Sequence, residues 1–129
     1  MFSEKVNNIL MKSGWQRLMT PKELLNAWAQ FVDECCTGYE MSIYEYDNDL
    51  SVRNAIEKIL SEDNLSNYPG FQRFKESVLS IDNTFKKLLL SGFERDNQSS
   101  WWQKGVLKKA GEEYAKDIKD KYQIEIKII

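Results

Sequence analysis

The chain has 129 residues, of which 42% are hydrophobic and 29% are charged, and its formal net charge is −2 at pH 7. This length suits one domain with a single core and excludes two independently stable domains. The absence of histidine excludes Ser-His and Cys-His dyads and two-His metal sites, which leaves carboxylate chemistry, lysine chemistry or no chemistry.

The N-terminal segment MFSEKVNNILMKSG predicts a short amphipathic helix rather than a signal peptide. Val6, Ile9 and Leu10 share one helical face and Gly14 closes it. An early acidic residue and the lack of a leader-type apolar region argue against export, and no apolar run reaches the length of a membrane span. We therefore expect a cytoplasmic protein that does not contact membranes.

The strongest helix signal is the stretch MTPKELLNAWAQFVDECCTG. Thr20 with Glu23 predicts a capping box, Pro21 suits the first helical position, and Gly38 ends the helix. Adjacent cysteines cannot supply a disulfide framework, and Cys35 lies on the apolar face, which favours a buried side chain over a reactive thiol. That face consists of Leu24, Leu25, Trp28, Phe31, Val32 and Cys35.

The next segment, SIYEYDNDLSVRNAIE at residues 42–57, has more than one interpretation. A hydrophobic run followed by Asp-x-Asp-x-Ser resembles the first motif of haloacid-dehalogenase-type phosphatases, and this resemblance implies Asp47 as nucleophile and Asp49 as acid above a magnesium ion. A calcium loop is excluded because the glycine required at its sixth position is Val52. Alternatively, Asn48, Asp49 or Ser51 caps a helix that begins near Val52.

Two further helices are predicted in the second half of the chain. The first ends at Gly92 and carries a seam, an apolar stripe with spacings of three and four. The seam consists of Phe71, Phe74, Val78, Ile81, Phe85 and Leu88. The second begins at a serine before Trp101-Trp102, one of which we expect in the core. It continues toward residue 122 with Val106, Ala110, Tyr114 and Ile118 on one side, and we expect a break or close packing at Gly105 or Gly111.

The final residues, QIEIKII, change to the alternating pattern of a β-strand. A lone strand needs a neighbour, and the comparable internal run is EMSIYEY at residues 40–46. The sequence thus predicts a mainly α fold: a single-domain bundle of about five helices over 1–129, with a small two-stranded element formed by 41–46 and 123–128. The alternative is that QIEIKII is an open edge that another protein extends.

Acidic residues are concentrated in residues 33–63, which hold nine acidic and two basic side chains. Such a block is often a solvated helix face. Tyrosines among carboxylates also make a good surface for a basic partner, whereas nucleic acid would be repelled. We therefore predict a partner-binding surface without cofactor or metal, formed by Glu40, Tyr44, Glu45, Tyr46, Asp47 and Asp49.

The runs GYEMSIYEYDNDLSVRNAIEKIL and SSWWQKGVLKKAGEEYAKDI resemble the small immunity proteins of bacteria, particularly those of contact-dependent growth inhibition systems. The resemblance covers most of the chain from Trp15 onward and rests on the overall pattern of residue types. It implies a non-enzymatic protein that binds one cognate toxin domain, commonly a nuclease. Two alternatives stay open, namely a carboxylate-dependent phosphohydrolase using Asp47 and Asp49, and a scaffold or regulatory subunit that docks through QIEIKII.

Overall fold

Helices account for most of the residues that the structure, a computed structural model, describes, which are 2–12, 14, 19–96, 98 and 100–129. Six α-helices lie in these ranges, and five of them are longer than a single turn, so the predicted mainly α class is confirmed. No described helix is both long and apolar enough to span a membrane. The elements are α1 (Phe2–Lys12), α2 (Pro21–Thr37), α3 (Ile43–Leu60), a 3-10 turn (Asp63–Leu65), α4 (Phe71–Lys86), α5 (Trp101–Lys104), β1 (Lys109–Ala110), α6 (Glu112–Tyr122) and β2 (Lys127–Ile128).

Helix α2 begins as its sequence predicts. The Glu23 backbone N–H donates to Thr20 Oγ1 at 3.1 Å, and the Thr20 N–H donates to Glu23 Oε1 at 3.0 Å, which completes the capping box. Gly38 follows the last turn with a φ of 118°, a conformation that glycine adopts without steric cost. The predicted face is buried at Leu24, Trp28, Phe31, Val32 and Cys35. Burial also raises the pKa of the Cys35 thiol, so this residue serves as packing.

Helix α3 corrects two predictions, because residues 41–46 are not a strand and the helix starts well before Asn48, Asp49 or Ser51. Ser42 is the N-cap, and its Oγ accepts the Glu45 N–H at 3.2 Å. Ile43, Tyr46 and Leu50 are buried on one face at spacings of three and four, which is a helical period that outweighs the strand preference of aromatic and β-branched residues. Helix α3 packs against α1, α2, α5 and α6.

The predicted long helix after Trp101 is divided, because the chain breaks at both glycines. Helix α5 ends at Gly105, an isolated bridge at Leu107, a bend at Lys108 and the short strand β1 follow, and α6 begins after Gly111. Trp102 is buried and Trp101 is partly exposed, as expected of the pair. The predicted side of Val106, Ala110, Tyr114 and Ile118 is fully buried, although only the last two belong to a helix. Helix α4 likewise ends at Lys86, before the predicted stop at Gly92.

The small sheet contains β1 and β2 in parallel, with Lys109 opposite Lys127 and Ala110 opposite Ile128. The C-terminal strand therefore pairs inside the chain, but the predicted pairing with 41–46 is wrong. The physical reason is that residues 43–46 form the start of α3, whereas the breaks at Gly105 and Gly111 leave Lys109–Ala110 outside any helix and able to pair. An antiparallel bridge between Leu89 and Leu107 covers the other side of this segment.

Gly111 offers a direct test of how closely the C-terminal third contacts the turn between α2 and α3. A Cβ at this position would lie 2.7 Å from the Tyr39 carbonyl oxygen and 2.9 Å from Glu40 Cα, both backbone atoms. We expect Gly111→Ala to lower the free energy of unfolding by about 1–3 kcal/mol, because a rigid backbone must move. Urea denaturation followed by tryptophan fluorescence measures this loss.

Gly105→Ala is the matched control. A Cβ at Gly105 would be 2.9 Å from the terminal Cδ1 of Leu89, and a side-chain end can rotate away. An equal loss of stability for the two variants would show that the close approach of the Gly111 and Tyr39 backbones is not the cause.

Candidate functional site

The acidic segment at 33–63 contains two kinds of carboxylate, and only one kind is available to a partner. Asp47, Asp49, Glu57 and Glu62 each have a side-chain partner within the protein, whereas Asp63 is exposed on the 3-10 turn. A second set lies at the end of α2 and the start of α3 on exposed residues and makes no ion pair with the residues that the structure describes. This set consists of Asp33, Glu34, Glu40 and Glu45.

Asp47 is engaged by Arg95, which comes from the loop between α4 and α5. Arg95 Nη1 and Nη2 each donate to one Asp47 carboxylate oxygen at 2.8 Å. Arg95 Nε donates to the Tyr122 hydroxyl at 2.9 Å, and Nη1 also reaches the Gln103 carbonyl oxygen. The hydrogen bonds that Arg95 donates to the Asp47 carboxylate raise the pKa of the Arg95 guanidinium. The bidentate pair ties the loop to α3, and the bond to Tyr122 ties it to the end of α6. The Asp47 carboxylate is therefore already paired within the protein.

Asp49 and Tyr46 are also turned inward. The Tyr39 hydroxyl donates a hydrogen bond to Asp49 Oδ2 at 2.7 Å. Burial, together with this bond, raises the pKa of Tyr39. Tyr46 is fully buried and packs against Phe31, Tyr39 and Tyr114 with ring centroids 4.9 to 5.5 Å apart. The prediction of Tyr46 as a surface anchor is therefore corrected, because its side chain belongs to the core.

The phosphohydrolase geometry is not present at Asp47 and Asp49. The resemblance implies an aspartate at the end of a strand in a parallel sheet, whereas both aspartates lie within α3. Their carboxylates bind Arg95 and Tyr39 respectively. Among the residues with described positions, no group of three or more Cys, Asp or Glu side chains is arranged to hold a metal ion.

The remaining predicted residues, Glu40, Tyr44 and Glu45, are exposed at the α2–α3 junction. Tyr44 is 70% exposed and the neighbouring Met41 is 51% exposed. A groove of about 450 Å³ runs along this turn and is lined by Glu34, Thr37, Gly38, Tyr39, Glu40 and Met41. We define the junction surface as Glu34, Glu40, Met41, Tyr44 and Glu45, an apolar pair flanked by three carboxylates.

Two helix ends of opposite polarity meet at the junction, because α2 ends there and α3 begins there. The last turn of α2 contains no basic residue, so the partial negative charge at its C-terminus is not compensated by a side chain of the helix. Glu34 lies in that turn. The exposed carboxylates of Glu34, Glu40 and Glu45 suit the junction surface to positively charged groups. Its apolar pair can pack against an aliphatic or aromatic side chain.

The C-terminal third of the chain holds the junction in position. The Gly111 N–H donates to the Tyr39 carbonyl oxygen at 2.8 Å. The Asp117 carboxylate accepts the Ile43 N–H at 2.9 Å at the start of α3. Lys121 Nζ lies 4.9 Å from the centroid of the Tyr44 ring, a distance suited to a cation–π contact. The two hydrogen bonds hold the backbone of the junction against the C-terminal third of the chain.

A second group of polar residues, which the sequence did not predict, lies between α2, α3 and α4. Asp82 accepts hydrogen bonds from Arg53 Nε, Arg53 Nη2 and Trp28 Nε1 at 2.9 to 3.0 Å. The Arg53 guanidinium carbon also lies 4.4 Å from the Trp102 ring centroid. Asp82 falls between Ile81 and Phe85 of the predicted α4 seam, and its burial had no local signal in the sequence. The network joins α2, α3 and α4 and is structural.

Comparisons with known proteins leave the function to be argued from the site itself. No protein-family model, curated protein or solved structure matches this chain. The junction surface is accordingly the feature of the molecule from which a function can be inferred.

Proposed function

We propose that this chain is an immunity protein that binds and neutralises a cognate bacterial toxin domain through the junction surface. The observation that carries the proposal is the pair of exposed apolar side chains, Met41 and Tyr44, set among carboxylates that have no ion pair within the described structure. Apolar surface rimmed by polar residues marks protein-binding sites, and the polar rim distinguishes Met41 and Tyr44 from the other exposed apolar side chains, Met11, Leu79, Ile128 and Ile129.

The charge of the junction surface indicates a basic partner, and nucleases are basic because their clefts attract phosphate. The carboxylates of Glu34, Glu40 and Glu45 would bind in the nuclease cleft where the phosphates of its nucleic-acid substrate bind. Tyr44 would pack against the nuclease surface as an apolar anchor. Long-range attraction of this kind raises the association rate and weakens with salt. Of the carboxylates predicted from the sequence to bind a partner, Glu40 and Glu45 keep that role. Glu34 replaces Asp47 and Asp49, which have internal partners.

The proposal describes a binding protein without catalysis or cofactor, acting in the cytoplasm, where an imported nuclease would reach its substrate. Its first test is a growth assay in a neutral host that expresses the C-terminal segment of the gene encoded immediately upstream, with and without this protein. Toxicity that disappears only in the presence of this chain supports immunity. A neighbour that is equally toxic in both cultures, or harmless, argues against immunity to that neighbour.

Charge reversal tests the junction surface once that partner is identified. We expect Glu40→Lys combined with Glu45→Lys to weaken binding to the toxin domain about 10- to 100-fold, mainly through slower association, and to flatten the salt dependence. Surface plasmon resonance at about 50 and 300 mM salt measures both effects. Growth protection should fall in parallel.

Asp63→Lys combined with Glu76→Lys is the matched control, because it makes the same change in net charge at exposed residues of the 3-10 turn and α4. This control should bind nearly as the unmodified protein does at high salt. Equal losses in the two double variants would mean that net charge, and not the junction surface, governs binding.

A further inference from the structure

The strand β2 has one edge without a partner in the described structure. Lys127 N–H donates to the Lys108 carbonyl oxygen at 3.2 Å, and Ile129 N–H donates to the Ala110 carbonyl oxygen at 2.9 Å. In a strand, successive backbone groups point in opposite directions. The N–H and C=O of Ile128 therefore face away from β1, and the Ile128 side chain is 58% exposed.

This edge is the outer edge of a three-segment arrangement. The inner segment around β1 is bonded on its other side, where the Leu90 N–H donates to the Val106 carbonyl oxygen at 2.8 Å and the Lys108 N–H donates to the Leu88 carbonyl oxygen at 2.9 Å. Another strand can therefore pair with the free edge of β2. The unpaired backbone N–H and C=O groups of that edge bind a chain in the extended conformation.

The sequence of this edge is complementary to itself. The run Ile124-Glu125-Ile126-Lys127-Ile128 has opposite charges placed symmetrically about Ile126. In an antiparallel pair centred on Ile126, Glu125 of one copy faces Lys127 of the other, and Ile124 faces Ile128. Opposite charges and β-branched residues facing each other across strands both stabilise such a pair.

The backbone register agrees with this side-chain pairing. An antiparallel pair exchanges hydrogen bonds between residues whose N–H and C=O groups point toward the partner strand. Those groups point outward at Ile128 of β2, which spans Lys127–Ile128. Continuing the strand back to Ile124, as the pairing requires, gives the same direction at Ile126 and Ile124. The register that matches the charges is therefore also the register that forms the hydrogen bonds.

We propose that two copies of this chain associate through their β2 edges, in an antiparallel pair centred on Ile126 with the strand continued back to Ile124. The contact is isologous and uses the open edge of both copies, so association stops at a dimer. The edge is short, and interfaces smaller than the standard size are weak. We therefore expect a reversible dimer with a Kd on the order of 10 to 100 μM.

Sedimentation velocity of the full chain from about 1 to 500 μM tests this proposal, with charge swapping as the decisive comparison. Glu125→Lys and Lys127→Glu should each shift the protein to monomer, because like charges then face each other. An equimolar mixture of the two variants should dimerise again, since every facing pair becomes opposite in sign. The double variant carrying both changes should also dimerise at concentrations similar to the unmodified chain.

Ile128→Pro tests the backbone contact separately. The substitution removes an N–H that points away from β1, so the bonds that Lys127 and Ile129 make to β1 are retained. The association constant of the dimer should fall at least tenfold. Ile128→Ala keeps the N–H and should dimerise more strongly than Ile128→Pro. Circular dichroism and thermal melting verify that each variant is folded.

Three outcomes would overturn the proposal: an unmodified chain that is monomeric throughout the concentration range, single charge variants that dimerise as well as it does, or oligomers larger than two. Glu125 also bonds Lys119 at 3.0 Å, but this pair is exposed and contributes little to folding. No toxin domain enters these measurements, so their result is independent of the proposed function.

Discussion

Asp82→Ala is expected to lower the free energy of unfolding by about 3–5 kcal/mol, because it leaves the Arg53 guanidinium buried without its main counter-ion. The Arg53 and Asp82 side chains are each 3% exposed, so water cannot replace the lost carboxylate. The Trp28 indole N–H loses its acceptor in the same step, and an unsatisfied buried donor adds to the cost. Guanidinium denaturation with linear extrapolation measures the change.

A paired substitution separates the effect of unpaired charge from the effect of lost packing. Arg53→Met with Asp82→Asn removes both charges and keeps an amide oxygen for Trp28, so it should recover at least half of the stability lost in Asp82→Ala. Glu57→Ala is the exposed control, since the Glu57 side chain is 44% exposed, and it should cost no more than about 1 kcal/mol. A double variant as unstable as Asp82→Ala would contradict the buried-charge explanation.

Asp47→Ala is the second large effect, with an expected loss of about 2–4 kcal/mol in the free energy of unfolding. The reason is the environment of its partner, because the Arg95 side chain is 5% exposed whereas that of Asp47 is 38% exposed. Removing the carboxylate leaves a buried guanidinium with only the Tyr122 hydroxyl and the Gln103 carbonyl oxygen as acceptors in the described structure. An unpaired charge in such a position is costly. Chemical denaturation again gives the measurement.

Arg95→Met provides the internal comparison for this pair. It leaves Asp47 partly exposed to water and fills the guanidinium site with an apolar chain, so we expect a loss of about 1–2 kcal/mol, smaller than that of Asp47→Ala. The order of the two losses is the test, and a larger loss in Arg95→Met would refute the argument from exposure.

The same reasoning affects how a partner surface should be mapped. A loss of binding in Asp47→Ala would report a displaced loop as well as a lost charge, because Asp47 ties residues near Arg95 to α3. The carboxylates of Glu40 and Glu45 have no comparable internal role in the described structure. Substitutions at these two residues therefore report on the junction surface more directly than substitutions at Asp47 or Asp49.

The helices that carry their own start and stop signals could be predicted from the sequence. The Thr20 and Glu23 capping box, the apolar face of α2 and the α4 seam through Phe85 are local patterns, and local patterns suffice to define an amphipathic helix. The same holds for α1, where Val6 and Leu10 are buried as predicted. The C-terminal strand pattern was also local, and it forms a strand at Lys127–Ile128.

The candidate site was only partly predictable because exposure is not a local property. Glu40, Tyr44 and Glu45 are exposed as the sequence suggests, but Tyr46 lies in the core and Asp47 and Asp49 are bound by Arg95 and Tyr39. All of these residues fall in one acidic, aromatic run. Which of them face solvent depends on the helix that this run forms and on the elements packed around it.

The sequence by itself determined the helical class, the boundaries of α2, the central stripe of α4 and the clustering of negative charge. These features depend on periodicity, capping residues and composition, which are properties of residues close together in the sequence. Tertiary structure decided that the run after Ser42 is helical, that β2 pairs with β1, and which carboxylates remain free. The physical reason is that these outcomes depend on residues far apart in sequence. Asp117 accepts the first N–H of α3 and Arg95 neutralises Asp47, and neither pairing has a signature in the local sequence.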